Sequence, residues 1–387
     1  MRIGIDARYA FHDVADGVGD YVTSLLTHLP SVGRDEDRFV AYLDGKSDVE
    51  GLEGLRVEIR QLPIPNPFLW KEAALPYAAS RDRIDLLHLP GNDGPTWTPC
   101  PTVYTIHDSS KFVGHAPARP RMSVRTALAQ VLHVGSLPLQ ARAARRIITA
   151  SDASRLDLIR ILGLEADRIH VIPLGVARDL APAGNPALVR ERLWQAGYPA
   201  PKRFVLALAD PDPGEAGRTL LRSFARMHDL LPDVQLWIIG VARPEAFPIP
   251  FPSHPEWLTV LGDIPRLALV GLFQVAEVFV YLRQTEDFGL RILEAMSCAL
   301  PVLAVRRPAV MDAAGTAAVL FDSADEEDLA GGLVHLLTND VIRGSCIQAG
   351  RAHASRFSEV EMVRRTYHVY RDAVYEATRE AAEDLAE

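Results

Sequence analysis

The sequence predicts an α/β protein of two doubly wound units, each a parallel sheet with helices on both faces. Three observations carry this expectation. Short apolar runs of strand length alternate with segments of helical period along the whole chain, the pattern left by parallel strands joined through crossover helices. The series restarts after a proline-rich, charged stretch over residues 181–202. Finally, 387 residues are too many for one ordinary core; that length suggests two or three domains of roughly 130 to 190 residues, and the restart selects two.

In the first series, strands are expected at 2–6, 39–43, 86–89, 102–106, 146–149 and 170–173. Helices fall between them, one starting near Tyr21 and one over 154–162. The second series places strands at 204–209, 235–239, 258–261, 278–281 and 302–305, with helices including 219–230 and 291–298. The boundary falls near residue 180, giving a first domain over 1–180 and a second over 181–359. A last helix over 360–378 offers a partial apolar stripe of Val360, Val363, Tyr367, Tyr370, Val374 and Tyr375, with which it packs back on the first domain.

Composition excludes several classes. Apolar residues make up 48% and charged residues 24% of the chain, an ordinary globular balance. The opening Ile3-Gly-Ile-Asp6 run is too short for a signal peptide and no run approaches a membrane span, so a cytoplasmic protein is expected. Cys100, Cys298 and Cys346 lack metal-ligand spacing and are read as small core residues without a disulfide framework. A net charge of −9 argues against nucleic-acid binding. Residues 115–146 carry no acidic side chain but contain Arg119, Arg121, Arg125, Arg142, Arg145 and Arg146. Two readings stand for them: a solvated helical face with a loop, or peripheral contact with anionic lipid headgroups or a phosphorylated acceptor at the inner face of the membrane.

Ligands of doubly wound sheets sit at the carboxyl ends of the strands, so the loops there are the place to look for chemistry. Gly17-Val18-Gly19 is expected in a loop after the first strand, either as a turn or where backbone approaches a phosphate. The most informative segment spans 285–301. There Glu286 follows a strand, Phe288-Gly289-Leu290 turns the chain, and Glu294 lies in the first turns of the next helix. Two carboxylates thus bracket a helix N-terminus, which would hold an anion between acceptors suited to sugar hydroxyls. An acidic capping region of a surface helix would explain one glutamate but not the apolar, glycine-containing turn.

This segment resembles the E-x7-E signature of retaining family-4 glycosyltransferases of GT-B architecture, in which two Rossmann-like domains face each other across a cleft. The resemblance runs along nearly the whole chain, through Ile3-Gly-Ile-Asp-Ala-Arg8, Thr105-Ile-His-Asp108, Ala150-Ser-Asp-Ala-Ser-Arg155 and Val171-Ile-Pro-Leu-Gly-Val176. It implies transfer of a sugar from a nucleotide-diphosphate donor to a glycan, lipid-linked or small-molecule acceptor, with retained configuration and without a metal or other cofactor. By the same resemblance Glu286 binds donor-sugar hydroxyls, Glu294 the ribose, and Phe288, Gly289 and Leu290 present backbone to sugar and diphosphate. Gly17 and Gly19 close over the phosphates, and His107 lies near the transferred sugar and acceptor; a structural, hydrogen-bonded histidine is the alternative.

One part of the pattern is reversed. The family's first strand of the second domain usually ends in Gly-Arg, with a Lys five residues after that Arg; the two stabilise the leaving diphosphate. Here Asp210 and Glu215 occupy those places, and Lys202 is the only lysine after residue 111. Each reversed charge near a diphosphate would oppose binding by roughly a few kcal/mol at an effective dielectric near 20. Three explanations follow. An arginine is supplied from elsewhere, with Arg218, Arg283 and Arg291 nearest in sequence; or Asp210-Pro-Asp212, which resembles the D-x-D of another transferase architecture, holds a divalent ion; or the protein is a catalytically silent homologue that binds sugar or supports a partner enzyme.

Overall fold

The computed structural model describes residues 1–10, 17–44, 56–91, 93–107, 109, 138–210, 214–241, 243–283, 288–322 and 325–384. They form two compact units: residues up to 175 together with the segment from 359 onward, and residues 176–358. Glu286, Asp108 and Asp212, together with Arg119, Arg121 and Arg125, lie outside the described residues.

The first unit is built on a seven-stranded parallel sheet ordered β3-β2-β1-β4-β5-β6-β7. Its strands are β1 (Arg2–Asp6), β2 (Arg38–Asp44), β3 (Glu58–Leu62), β4 (Leu86–Leu89), β5 (Thr102–Ile106), β6 (Arg146–Thr149) and β7 (Ile169–Val171). The central strands are almost continuously buried, as strands covered on both faces must be. β3 has no such signature. Its sequence EIRQL is half-exposed at the sheet edge, which is why apolar patterning passes over it. Strand order reverses between β1 and β4, so the ligand crevice of such a sheet opens at their carboxyl ends.

Helix α1 (Gly17–Val32) starts earlier than the sequence suggests, and Gly17, Val18 and Gly19 form its first turn rather than a loop. The helix is fixed by its buried face of Tyr21, Val22, Leu25, Leu26 and Leu29, which lets two poor helix formers be carried along at its end. A helical run beginning at Pro67 is capped by Asn66, which accepts from the Phe68 and Leu69 N–H groups, and leads into α2 (Leu75–Arg81). Helix α3 (Asp152–Leu162) starts on the Ser151 side chain and stops at Gly163 in the left-handed region, φ 63°.

In the second unit six parallel strands run in the order β10-β9-β8-β11-β12-β13, with the reversal between β8 and β11. They are β8 (Phe204–Leu208), β9 (Gln235–Ile239), β10 (Leu258–Val260), β11 (Val278–Tyr281), β12 (Val302–Val305) and β13 (Val319–Phe321). Helices α4 (Pro186–Gln195), α5 (Gly214–His228), α6 (Arg266–Val275), α7 (Leu290–Ser297), α8 (Pro308–Ala314), α9 (Glu326–Thr338) and α10 (Asp340–Ala354) accompany them. The face of α5 that packs inward carries Leu220, Leu221, Phe224 and Met227, each contributing about 1.5–3 kcal/mol by burial.

Helix α11 (Glu359–Asp384) belongs to the first unit, where it contacts α1, β4, β5 and β6. Met362, Val363, Thr366, Tyr367, Tyr370 and Ala373 form its buried face. Tyr375, assigned to that stripe from sequence, is 70% exposed. Five residues beyond Tyr370 it has rotated about 140° around the helix. Arg145 and Arg146 pair with Glu380 and Glu376 of this helix, and Arg142 donates to the Leu162 carbonyl. Arg145 and Arg146 are therefore paired within the unit, whereas exposed Arg142 donates to a neutral carbonyl and keeps its charge at the surface. Only Cys298 is a buried core thiol, whereas Cys100 and Cys346 are half-buried. No helix among the described residues is long and apolar enough to cross a membrane.

Candidate active site

At the carboxyl edge of the first sheet, the strand exits are tied together by polar groups. His107 follows β5 and its Nε2 lies 2.8 Å from the Pro90 carbonyl at the exit of β4. A carbonyl only accepts, so Nε2 donates to it. The edge of the His107 ring meets Tyr21 of α1, centroids 4.9 Å apart.

Behind it runs a buried chain that sequence reasoning did not find. Tyr21 Oη is 3.2 Å from Thr105 Oγ1, Thr105 Oγ1 is 2.8 Å from His88 Nε2, and His88 Nδ1 is 2.6 Å from Tyr370 Oη. Each ring nitrogen thus faces a hydroxyl, which can donate or accept. Burial, with a smaller contribution from His107, pushes His88 down to about 3. Burial likewise pushes Tyr21 up to about 12 and Tyr370 well above its ordinary range, so the chain is uncharged at neutral pH.

Beside β1, Arg8 is held by both carboxylate oxygens of buried Asp6, with Nη2–Oδ2 at 2.7 Å, and its guanidinium lies 4.1 Å from the Trp70 ring centroid. It lines a cavity of about 220 Å³ with Asp44, Ile64 and Trp70. The ion pair joins residues two apart, so it is legible in the Asp-Ala-Arg triplet once that triplet is known to leave a strand.

In the second unit, the exit of β11 leads to Gly289 and α7. Gly289 has φ 84°, which other residues rarely adopt, and α7 begins there without a side-chain cap. No side chain caps that first turn, in which the Ile292 N–H is taken by the Gly289 carbonyl at 3.0 Å. Phe288 and Leu290 on either side are buried, Phe288 against Phe357 with centroids 5.9 Å apart.

Glu294 lies one turn deeper than the N-terminus. It is only 1% exposed, with Oε1 2.5 Å from Arg266 Nη1 and Oε2 2.7 Å from Arg291 Nη1. The surface-helix alternative is thereby excluded for this residue. Two arginines satisfy one site on each oxygen, and a carboxylate retains further lone pairs for a hydroxyl. The Glu294 charge adds to burial in pushing the Cys298 thiol up to about 12. Arg266 was not anticipated; it stands 28 residues away on α6, and nothing in the local pattern links it to Glu294.

The three arginines nearest in sequence to the reversed charges separate cleanly. Arg218 is exposed and pairs with Glu215 at 3.0 Å, so the reversed charge at 215 is neutralised on its own helix, with Arg222 also at 3.3 Å. Arg291 is turned toward Glu294. Arg283 alone of the three stands at a strand exit, two residues beyond β11. Asp210, at the end of β8, is buried. Among the described residues no group of three or more His, Cys, Asp or Glu side chains could hold a metal ion.

Two parallel sheets, each with a strand-order reversal, match the fold of GT-B glycosyltransferases. The chain resembles the solved structure of Anabaena Alr3699/HepE in complex with UDP-glucose, with a TM-score of 0.65 at 17% identity over 96% of this chain and 99% of that one. The sequence matches the family Glycosyltransferase Family 4 over residues 15–180 and Glycosyl transferases group 1 over 204–339. Between them these matches cover most of the chain, which belongs to the family-4 glycosyltransferases.

O-antigen chain mannosyltransferase B of Escherichia coli is 28% identical over 250 residues, 59% of this chain and 61% of its own length. The D-inositol 3-phosphate glycosyltransferase of Acidothermus cellulolyticus is 28% identical over 308 residues, 74% of this chain and 65% of its own length. Each match thus spans a little under two thirds of the relative.

Proposed function

We propose that the chain transfers a sugar from a nucleotide-diphosphate donor to a glycan, lipid-linked or small-molecule acceptor with retention of anomeric configuration. The observation that carries this reading is the exit of β11, where an uncapped helix N-terminus behind left-handed Gly289 stands one turn from buried Glu294. The first suits a phosphate and the second a pair of hydroxyls. Family membership supports transfer as the reaction, and the UDP-glucose named with the HepE structure supports the donor class. The names of the two relatives, an O-antigen chain mannosyltransferase and a D-inositol 3-phosphate glycosyltransferase, support glycan and phosphorylated acceptors.

In this reading Glu286 receives donor-sugar hydroxyls and Glu294 the ribose, while Phe288, Gly289 and Leu290 present backbone to sugar and diphosphate. Gly17 and Gly19 offer the first turn of α1 to the phosphates. The acceptor side falls to the first unit, through His107 and the cavity walled by Arg8. The bond from the anomeric carbon to the diphosphate oxygen breaks, the acceptor oxygen bonds on the same face, and the acceptor's proton leaves with the diphosphate. Charge accumulates on the leaving group, so the chief demand is to stabilise an anion, with no metal required. Membrane contact through residues 115–146, at the cytoplasmic face, rests on Arg119, Arg121, Arg125 and Arg142, because Arg145 and Arg146 are paired with glutamates.

Incubating the purified protein with a panel of nucleotide sugars tests the reading. At least one is expected to raise the melting temperature and to be slowly hydrolysed; no effect from any of them would sink it. A second reading, a silent homologue supporting a partner, is favoured by Asp210 alone. Stabilisation by a nucleotide sugar without turnover, together with a homologous subunit that co-purifies, would select it.

A further inference from the structure

We propose that Arg283, assisted by Arg307, holds the donor diphosphate in place of the family's missing arginine and lysine; this rests on the donor class proposed above. β8 and β11 are neighbours at the strand-order reversal, in register with Leu208 opposite Tyr281, and the pairing continues in a 3.0 Å bond from Leu282 N–H to the Leu208 carbonyl. Two residues beyond each strand, Arg283 therefore stands across from Asp210. The positive charge has been displaced by one strand, not lost.

The neighbouring exit is shaped for it. Gly240, which leaves β9 with φ 78°, has no side chain where a Cβ would come within 3.1 Å of Arg283 Nη2 and 2.7 Å of Leu208 Cδ1. The guanidinium thus lies over the ends of β8 and β9 at the crevice of this sheet. Arg283 Nε is buried and has no hydrogen-bond partner among the described residues. Arg307, flanking α8 at the exit of β12, brings Nη1 to 3.5 Å from the Arg283 carbonyl, so its guanidinium lies against the neighbouring strand exit.

Neither has a carboxylate partner among the described residues, whereas Arg218, Arg266 and Arg291 all do. A half-buried guanidinium without a counter-ion is unfavourable unless a ligand brings the anion, and its planar fork suits two phosphate oxygens.

Calorimetric titration of the full chain with UDP, GDP and ADP, each beside its nucleoside, tests the assignment. The wild type is expected to bind at least one diphosphate more tightly than the nucleoside, with EDTA making no difference. Arg283→Ala should weaken that diphosphate by about tenfold to a hundredfold while changing nucleoside affinity less than about twofold. Arg307→Ala should act in the same direction more weakly, and Asp210→Asn should strengthen the diphosphate a few-fold. Should Arg283→Ala fail to melt cooperatively, Arg283→Lys, which keeps the charge but not the fork, should show an intermediate, diphosphate-specific loss. Equal loss for diphosphate and nucleoside, no loss for either, or abolition of wild-type binding by EDTA would overturn the assignment. A wild type that binds none of the three diphosphates would instead bring down the donor class itself.

Discussion

At the carboxyl edge of the first sheet the polar groups answer one another. Tyr21, Thr105, His88 and Tyr370 form an uncharged chain, and Arg8 is matched by Asp6. At the same edge of the second sheet, Glu294 is matched twice over, yet Arg283 and Arg307, at the exits of β11 and β12, stand without a carboxylate partner among the described residues. The two edges share a topology and differ in what completes them. Groups satisfied within the protein fix geometry and register in stability, whereas cations left for a ligand register in affinity.

The sharpest way to break this contrast is at Glu294. Glu294→Ala would leave Arg266 and Arg291 facing each other without their carboxylate, and should destabilise the fold by about 3–5 kcal/mol in urea unfolding. A loss below about 1 kcal/mol would mean that these arginines relax into solvent, and that this edge is as loosely completed as the Arg283 patch.

A smaller effect is expected in the first unit, where His88→Leu strands the Tyr370 hydroxyl, leaves Thr105 only its bond to Tyr21, and should remove about 1–3 kcal/mol. Its sign with pH is definite. The folded imidazole sits near 3 and an unfolded one near 6.5, so the unfolded chain takes up the proton first and stability falls as pH drops below about 6.5. The slope approaches about 1.4 kcal/mol per pH unit, and His170, depressed mainly by burial, adds to it. Unfolding measured between pH 7 and 5 should show a decline that His88→Leu flattens; an unchanged decline would assign it to other groups.

Gly289→Ala forces a Cβ onto left-handed backbone and to 3.0 Å from Ile292 Cδ1, for a loss of roughly 1–2 kcal/mol and weaker diphosphate binding. Retained stability would show that the turn before α7 readjusts. Smallest of all, Glu215→Ala removes only exposed ion pairs, and should change stability by less than about 0.5 kcal/mol without impairing nucleotide affinity. A gain in diphosphate affinity above tenfold would place Glu215 nearer the phosphates than its pairing with Arg218 suggests.

Much of the scaffold was legible because parallel strands buried on both faces leave unmistakable apolar runs; β1, β4, β5, β6, β9, β11 and β12 match their expected spans residue for residue. β3 was missed because its EIRQL run carries no apolar signature, and β13 because its Val-Leu-Phe run is only 3 residues long. Gly289 and Glu294 could be picked out because motif and turn chemistry are local. The hydroxyl–imidazole chain could not, since its members are 84, 17 and 282 residues apart and each looks like an ordinary core side chain. Arg283 was visible only as one of three arginines; the register of β8 and β11 distinguishes it, and register is not written in any one strand.

The placement of α11 separates the order of synthesis from the order of completion. A nascent chain that has emerged through residue 175 already carries all seven strands of the first sheet, but not Tyr370, Tyr367 or Met362. While the second unit is still being translated, His88 must wait with one nitrogen unmatched and the groove beside α1 uncovered. The unit begun first on the ribosome is thus finished last, and the interval between is the span in which chaperones would find its apolar face open.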